Sequence, residues 1–272
     1  EGNEPLFKGL AAEKRWDWSV KYPVVRFSFG KGYFDSREYL HKNLMAQLDQ
    51  LDQQFGHHSP YDTTPERLSS LLSFIRQQQQ QKVVVLVDEY DKPILDVLNK
   101  ADVAKSNRDY LRGFYATIKD SDANIKFSFL SGVSKFSRVS LFSGLNNLYD
   151  LTMIPKFSAI CGYTDHDIDT VFAPELFDVD RDKVRQWYNG YNWLGAGVYN
   201  PFDILQFFKN RAFRSYWFES ATPTFLVDIL LKRQVTTVKL DNLFSSSAML
   251  SSFEVGQLDT EALLFQTGYL TI

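Results

Sequence analysis

The chain has 272 residues, a formal net charge of −3 and 44% hydrophobic residues, which is enough apolar material for one large domain or two small ones. The slightly acidic balance, without a basic stripe, argues against direct nucleic-acid binding, because phosphate backbones are bound by clustered Lys and Arg. The single cysteine, Cys161, excludes an internal disulfide framework and is typical of a reducing compartment.

The sequence also argues against a membrane protein and against a His/Cys metal centre. No apolar run approaches membrane-spanning length, and the amino end lacks the cationic start and apolar stretch of a signal peptide. We therefore expect a cytoplasmic protein with no membrane partner. The four histidines do not form a metal-ligand spacing with the cysteine, and His57 and His58 are predicted to lie in an exposed loop.

Strands and helices alternate in the first half of the chain. The predicted strands lie at residues 22–29, 82–87 and 125–130. The predicted helices lie at residues 35–55, from Thr64 to the glutamines near 77–81, at 93–99 and at 107–119. Strands that alternate with helices predict a parallel sheet covered by helices.

The strand at 82–87 ends in two adjacent carboxylates, Asp88 and Glu89. Its continuous Val/Leu run is typical of a buried parallel strand. At the tip of such a strand an Asp can hold a phosphate-bound magnesium ion, while the following Glu orients or deprotonates an attacking water. The pair predicts the acidic half of a P-loop nucleotide site, with Asp88 as metal ligand and both residues catalytic. A sheet strand that merely ends in solvated acids and a turn would carry the same residue types.

The sequence does not contain the partner motif of such a site. A phosphate loop needs glycines and a Gly-Lys-Ser/Thr ending, but the only Gly-Lys step, Gly30-Lys31, is followed by Gly32 and lacks the upstream glycine. A PD-(D/E)xK nuclease centre is not expected in this segment either, because no lysine has Asp or Glu two positions before it.

Eight short segments carry a family resemblance. They are residues 6–10, 88–93, 130–137, 142–148, 161–164, 187–191, 199–202 and 264–271. Their order resembles that of the bacterial AAA-ATPase-like family over nearly the whole chain. The resemblance implies a P-loop ATPase module, a helical extension and a nuclease-like domain of the PD-(D/E)xK type. In that layout the phosphate loop lies upstream of Glu1 and the nuclease-like domain lies beyond Ile272, so we expect a fragment.

Polar residues after the strand at 125–130 complete the predicted site. Ser131 lies at its tip, where a polar group can sense the terminal phosphate of a nucleotide, and the resemblance places Ser134 and Lys135 in the same region. Arg138 is a weaker candidate for charge stabilisation. These four residues are predicted to bind the cofactor. A glycine-containing turn held by serine hydroxyls would select similar residues.

The pattern becomes helical from about residue 164, and residues 269–272 are predicted to form a strand. The predicted fold class is therefore α/β. Residues 1–160 are expected to form a P-loop NTPase-like parallel sheet without its phosphate-loop strand, and residues 161–272 a mainly helical lid or extension, winged-helix-like in one interpretation. Within the sheet, the strand ending at Asp88 is predicted to lie between the strand ending near Leu130 and a gap left by the missing strand.

Two functions fit these observations. In the first, the chain is part of an ATPase or ATP-dependent switch whose longer parent binds Mg²⁺ and ATP, while this fragment is inactive alone and needs no cofactor. In the second, it is a structural or interaction module that performs no hydrolysis. Its exposed sheet edge and helical extension would then contact a protein partner or a second copy of the chain.

Overall fold

The computed structural model describes residues 3–134, 141–142, 145, 147–221, 224–234 and 260–271. These residues form two compact units, and the chain divides between Asn147 and Leu148. The predicted domains, 1–160 and 161–272, stay a prediction. No helix within the described ranges is long and apolar enough to cross a membrane.

The first unit is built on a parallel sheet. Its strands, in spatial order, are β1 (Val24–Ser28), β2 (Val83–Asp88) and β3 (Ile125–Leu130). Ser28 lies opposite Asp88, and Val87 lies opposite Leu130, so the carboxyl ends of all three strands meet at one edge. The predicted α/β class and parallel strands are confirmed, and the sheet is compatible with a P-loop-like fold.

Helices lie before and between these strands. Those of the first unit are α1 (Ala11–Arg15), α2 (Arg37–Phe55), α3 (Thr64–Gln79), α4 (Lys92–Leu95) and α5 (Ala101–Asp120). The side chain of Ser36 caps α2 by accepting a hydrogen bond from the Tyr39 N–H, and Gly56 ends this helix in the left-handed region that favours glycine.

The sheet buries one face under α2, α3 and α5. Because side chains alternate along a strand, Val25, Phe27, Val83, Val85 and Val87 share this face and are almost completely buried. Phe27 meets Phe114 of α5 edge to face, with 5.0 Å between ring centroids. This layer fixes the strand ends that carry the candidate site.

The opposite face of the sheet, here called the open face, is only partly covered by the N-terminal segment. Its residues are Val24, Arg26, Val84, Leu86, Phe127 and Phe129. Phe127 and Phe129 are 55% and 41% exposed and stack on each other. Trp16 and Val24 line two cavities over this face. Parallel sheets are normally covered on both faces, so the open face is a surface that another segment or chain could cover.

The predicted gap beside β2 is wrong. β2 pairs with β3 on one side, as predicted, but it pairs with β1 on the other. Strand order is set by the crossover connections, which local sequence patterns do not encode. Within the described residues, β1 and β3 are therefore the edge strands, and a further strand would have to join one of them.

The second unit is mainly helical. Its helices are α6 (Asp165–Thr170), α7 (Arg181–Tyr188), α8 (Pro201–Asn210), α9 (Tyr216–Ala221), α10 (Thr224–Arg233) and α11 (Thr260–Gln266). A short antiparallel pair joins β4 (Asn189–Tyr191) and β5 (Val198–Tyr199). Its core contains Ile168, Val184, Tyr188, Tyr199, Ile204 and Phe207. The winged-helix interpretation stays a prediction.

The predicted strand at the carboxyl end is wrong over its described residues. After α11, Gly268 adopts a φ of 81°, and the N–H groups of Tyr269 and Leu270 both donate to the Leu264 carbonyl. These bonds satisfy the free carbonyl groups at the end of the helix, so residues 269–271 belong to its termination.

Candidate functional site

Asp88 and Ser131 meet at the carboxyl edge of the sheet. The Ser131 hydroxyl donates to Asp88 Oδ1 at 2.8 Å. The Ser131 N–H donates to the Val87 carbonyl at 2.9 Å, and the Tyr90 N–H donates to the Ser131 carbonyl at 3.0 Å. These backbone hydrogen bonds continue the β2–β3 pairing beyond the strands. They place the Ser131 hydroxyl against the Asp88 carboxylate.

The second oxygen of Asp88 faces Arg26, a residue that sequence reasoning missed. Arg26 Nη2 lies 3.1 Å from Asp88 Oδ2, and both side chains are substantially exposed. Such an exposed pair contributes about 0–1 kcal/mol, so a divalent cation with bound phosphate could replace Arg26 at little cost. The alternation of β1, which puts residues 24, 26 and 28 on one face, is the signal that could have identified Arg26.

Glu89 occupies a strained turn. Its φ of 54° lies in the left-handed region, which non-glycine residues adopt at a cost. A Cβ added at Gly30 would lie 3.1 Å from Glu89 Oε1, so the Glu89 carboxylate lies close to the backbone after β1. The two acids of the motif consequently face different neighbours, Asp88 toward Ser131 and Arg26, and Glu89 toward Gly30.

Lys92 ties the turns after β1 and β2 together. Its Nζ donates to the Gly32 carbonyl at 3.0 Å and to Asp96 Oδ2 at 2.7 Å. The same Asp96 oxygen accepts the Phe34 N–H at 3.3 Å. The backbone around Gly30, against which Glu89 lies, is thus held by α4.

Asp91, which was not predicted as a site residue, is fully buried beside the acidic pair. Its Oδ2 accepts hydrogen bonds from the Ser134 N–H and, at 2.7 Å, from the Ser134 hydroxyl. Its Oδ1 is buried and, among the described residues, has no hydrogen-bond partner. Burial raises the pKa of the Asp91 carboxyl to about 6, although the bonds from Ser134 act in the opposite direction.

Aromatic hydroxyls support the same turn. Tyr90 donates to the Ser134 carbonyl, and Tyr115 of α5 donates to the Tyr90 carbonyl at 2.9 Å. A Cβ at Gly132 would lie 2.5 Å from Asp91 Oδ1 and 2.6 Å from the Tyr90 ring, so only glycine fits between them. The turn after β3 is therefore packed directly on the turn after β2.

The predicted cofactor-binding residues have different positions. Ser131 contacts Asp88, whereas the Ser134 hydroxyl is bonded to Asp91. Lys135 and Arg138 lie outside the described residues. The described residues contain no group of three or more His, Cys, Asp or Glu side chains that could hold a metal. A magnesium ion at Asp88 would accordingly take most of its ligands from water and phosphate, as Mg²⁺ commonly does.

His57 is buried, so its predicted place in an exposed loop is wrong; His58, as predicted, is exposed. His57 Nδ1 lies 2.7 Å from Asp52 Oδ1, and its Nε2 lies 3.0 Å from the Ser70 hydroxyl. Asp52 Oδ2 also accepts from Arg67 at 2.7 Å. These bonds join the end of α2 to α3, so the network links two helices of the covering layer and lies apart from the strand ends.

A family model described as "Predicted AAA-ATPase" matches residues 1–142. The chain belongs to the AAA-ATPase-like family. A protein of Azotobacter chroococcum mcd 1, described as "Uncharacterized protein in vnfD 5'region", is 53% identical to it over 271 residues. The match covers 100% of this chain and 52% of that relative, so this AAA-ATPase-like chain spans about half the relative's length. No solved structure matches.

Proposed function

We propose that the chain is the magnesium- and water-positioning part of an ATPase or ATP-dependent switch. Asp88 orders the Mg²⁺ ion, Glu89 positions the attacking water, and Ser131 senses the terminal phosphate. The observation that supports this most directly is the hydrogen bond of 2.8 Å from the Ser131 hydroxyl to Asp88 at the carboxyl edge of a parallel sheet. Ligands of open α/β sheets bind outside this edge.

The separate surroundings of the two carboxylates suit these two roles. Asp88 is accessible and presents an oxygen to an exposed cationic partner, which a hard cation such as Mg²⁺ can displace. Glu89 is half-buried in a strained turn, and its carboxylate lies beside Gly30. A general base has to lie within hydrogen-bond reach of the water that it activates, and a position at the sheet edge beside the backbone after β1 suits this.

The phosphate loop is proposed to come from a longer protein. Within the described residues β3 is an edge strand, so it could accept the strand that carries this loop, and the relative from Azotobacter chroococcum is about twice as long as this chain. Without backbone N–H groups and a lysine around the phosphates, the two acids would repel a polyphosphate anion. Calorimetry of this chain with Mg-ATP is therefore expected to show no saturable binding below the millimolar range, and micromolar binding would contradict this.

The test of catalysis uses a protein of the relative's length that carries an upstream Gly-Lys-Ser/Thr loop. Glu89→Gln should retain ATP binding and lower turnover by roughly two to four orders of magnitude, because it removes the general base. Glu66→Gln, at an exposed position of α3, is the matched control and should hydrolyse ATP like the unchanged protein. Turnover of Glu89→Gln equal to that of the control would overturn the assignment.

The open face favours a second candidate, a non-catalytic interaction module. Phe127 and Phe129 are large, exposed and adjacent, on an edge strand that could pair with another chain. Sedimentation of this chain and of the double variant Phe127→Ser/Phe129→Ser distinguishes the two cases. The interaction module would be favoured if the unchanged chain associates and the double variant does not, and if no phosphate loop lies upstream.

A further inference from the structure

We propose that Asp91 is a positioning residue that clamps the 131–134 segment to the turn carrying Asp88 and Glu89, and does so through Ser134. The proposal rests on the proposed function, because the placement of this segment matters for activity only if Ser131 meets a nucleotide. Asp91 itself would touch neither nucleotide nor metal, since its side chain is enclosed by protein.

The two ends of the segment are held in different ways. At Ser131, backbone groups provide the bonds to Val87 and Tyr90, and almost any sequence could supply them. At Ser134, the bonds come from side chains: Asp91 Oδ2 accepts both the N–H and the hydroxyl, and Tyr90 donates to the carbonyl. The position of the Ser134 end thus depends on which side chains are present. Asp91 accepts two of the three hydrogen bonds that hold Ser134.

Burial shows that Asp91 is not an ordinary turn residue. It is 0% exposed, and within the described residues its side chain accepts hydrogen bonds from the neutral N–H and hydroxyl of Ser134. Burying a carboxylate without an ionic partner is costly, so hydrogen bonds must offset part of the penalty. In the part of the chain that the structure describes, Oδ1 has no hydrogen-bond partner, and it lies against Gly132, whose missing side chain allows the close approach. The carboxylate therefore contacts the segment at both Gly132 and Ser134.

A small displacement of the segment would change the candidate site. The Ser131 hydroxyl reaches Asp88 at 2.8 Å, three residues before the clamped Ser134. A misplacement of about 1 Å in an active site can reduce turnover roughly 100-fold. Asp91 would consequently affect the chemistry through Ser131, and its loss should lower kcat more than it changes the KM for Mg-ATP.

Protonation should stabilise the closed position of the 131–134 segment. The titratable groups that face Asp91 within the described residues are Tyr90 of its own turn and Tyr115 of α5, and the 131–134 segment contributes only serine hydroxyls. The pKa of the carboxyl is about 6, so it is mostly ionised at pH 8 and mostly protonated at pH 5. Burial raises this pKa more than the Ser134 bonds lower it, and the segment provides part of that burial, so the protonated carboxyl favours the closed position.

The test is residue-resolved amide hydrogen exchange on this chain between pH 5 and pH 8, expressed as protection relative to the intrinsic rate. Asp91→Asn and Ser134→Ala should each lower protection at Val133 and Ser134 about tenfold or more at pH 8. In the unchanged chain the same protection should rise as the pH drops through 6, and in Asp91→Asn it should not change with pH. If Asp91→Asn does not fold, the exchange measurement on Ser134→Ala tests the clamp in its place.

Tyr115→Phe is the matched control, because it removes a buried hydroxyl bond to the Tyr90 carbonyl of the same turn and none of the three bonds at Ser134. Unchanged protection in Asp91→Asn and Ser134→Ala, or an equal loss in Tyr115→Phe, would overturn the clamp. ATP hydrolysis is then measured separately, in the longer protein. If it hydrolyses no ATP, the proposed function fails while the exchange result still decides the clamp.

Discussion

Replacing Asp91 by Asn should change how the stability of the chain depends on pH. Burial raises the pKa of this carboxyl in the folded chain from an ordinary 3.8 to about 6. Between these values the folded chain holds a proton that the unfolded chain has released. The stability that this proton contributes is fully present below 3.8 and is lost as the pH rises through about 6.

The magnitude follows from the two pKa values. They differ by roughly two pH units, and at about 1.4 kcal/mol for each unit the whole contribution is about 3 kcal/mol. About 1.4 kcal/mol of it falls between pH 5 and pH 8, where the chain can be studied away from acid unfolding. Asn cannot ionise, so the variant lacks this contribution at every pH.

The assay is urea unfolding at pH 5, 6, 7 and 8, with amide exchange of Val85 and Val87 to follow the sheet unit. From pH 5 to pH 8 the unchanged chain should lose about 1.4 kcal/mol of unfolding free energy relative to Asp91→Asn. Asp120→Asn, at an exposed acid, controls for net charge. If the free energies of unfolding of the unchanged chain and Asp91→Asn changed in parallel with pH, the reasoning would be refuted.

Two further predictions concern the first unit. Arg67→Met should lower the free energy of unfolding by about 3–5 kcal/mol, because it leaves the buried Asp52 without its cation, whereas Arg112→Met breaks an exposed pair and should cost under about 0.5 kcal/mol. Gly132→Ala should destabilise by about 1–3 kcal/mol through overlap with Asp91, while Gly113→Ala, whose Cβ meets open space in α5, should stabilise by about 0.5–1 kcal/mol. Denaturant midpoints of the four variants test both predictions. Equal effects of Gly132→Ala and Gly113→Ala would contradict the prediction for the glycines.

The sequence predicted well what depends on local pattern. The Val/Leu run of β2 and the alternation with helices identified the parallel sheet, and the predicted place of β2 beside β3 put Ser131 at the same edge as Asp88. Strand order depends on crossovers between distant segments, so the pairing of β1 with β2 was missed. The terminal residues have strand composition, but Gly268 and the free carbonyl groups of α11 hold them in a turn.

The errors at the site have a similar origin. Asp91 follows Asp88 and Glu89 in one acidic run, and only the tertiary packing of Tyr90, Gly132 and Ser134 makes it a buried carboxylate. His57 follows the glycine that ends α2, a pattern typical of an exposed loop, yet its contacts with α3 bury it. Burial of polar residues depends on what other segments bring to them, and a single sequence does not display this.

The most direct test of the central claim is the magnesium dependence of ATP affinity, measured by calorimetry in a longer protein that carries a phosphate loop. If Asp88 orders the Mg²⁺ ion, the unchanged protein should bind ATP more tightly with Mg²⁺ than without it, and Asp88→Ala should lose most of that gain. An Asp88→Ala variant that keeps the full gain would contradict the assignment of Asp88 to the metal.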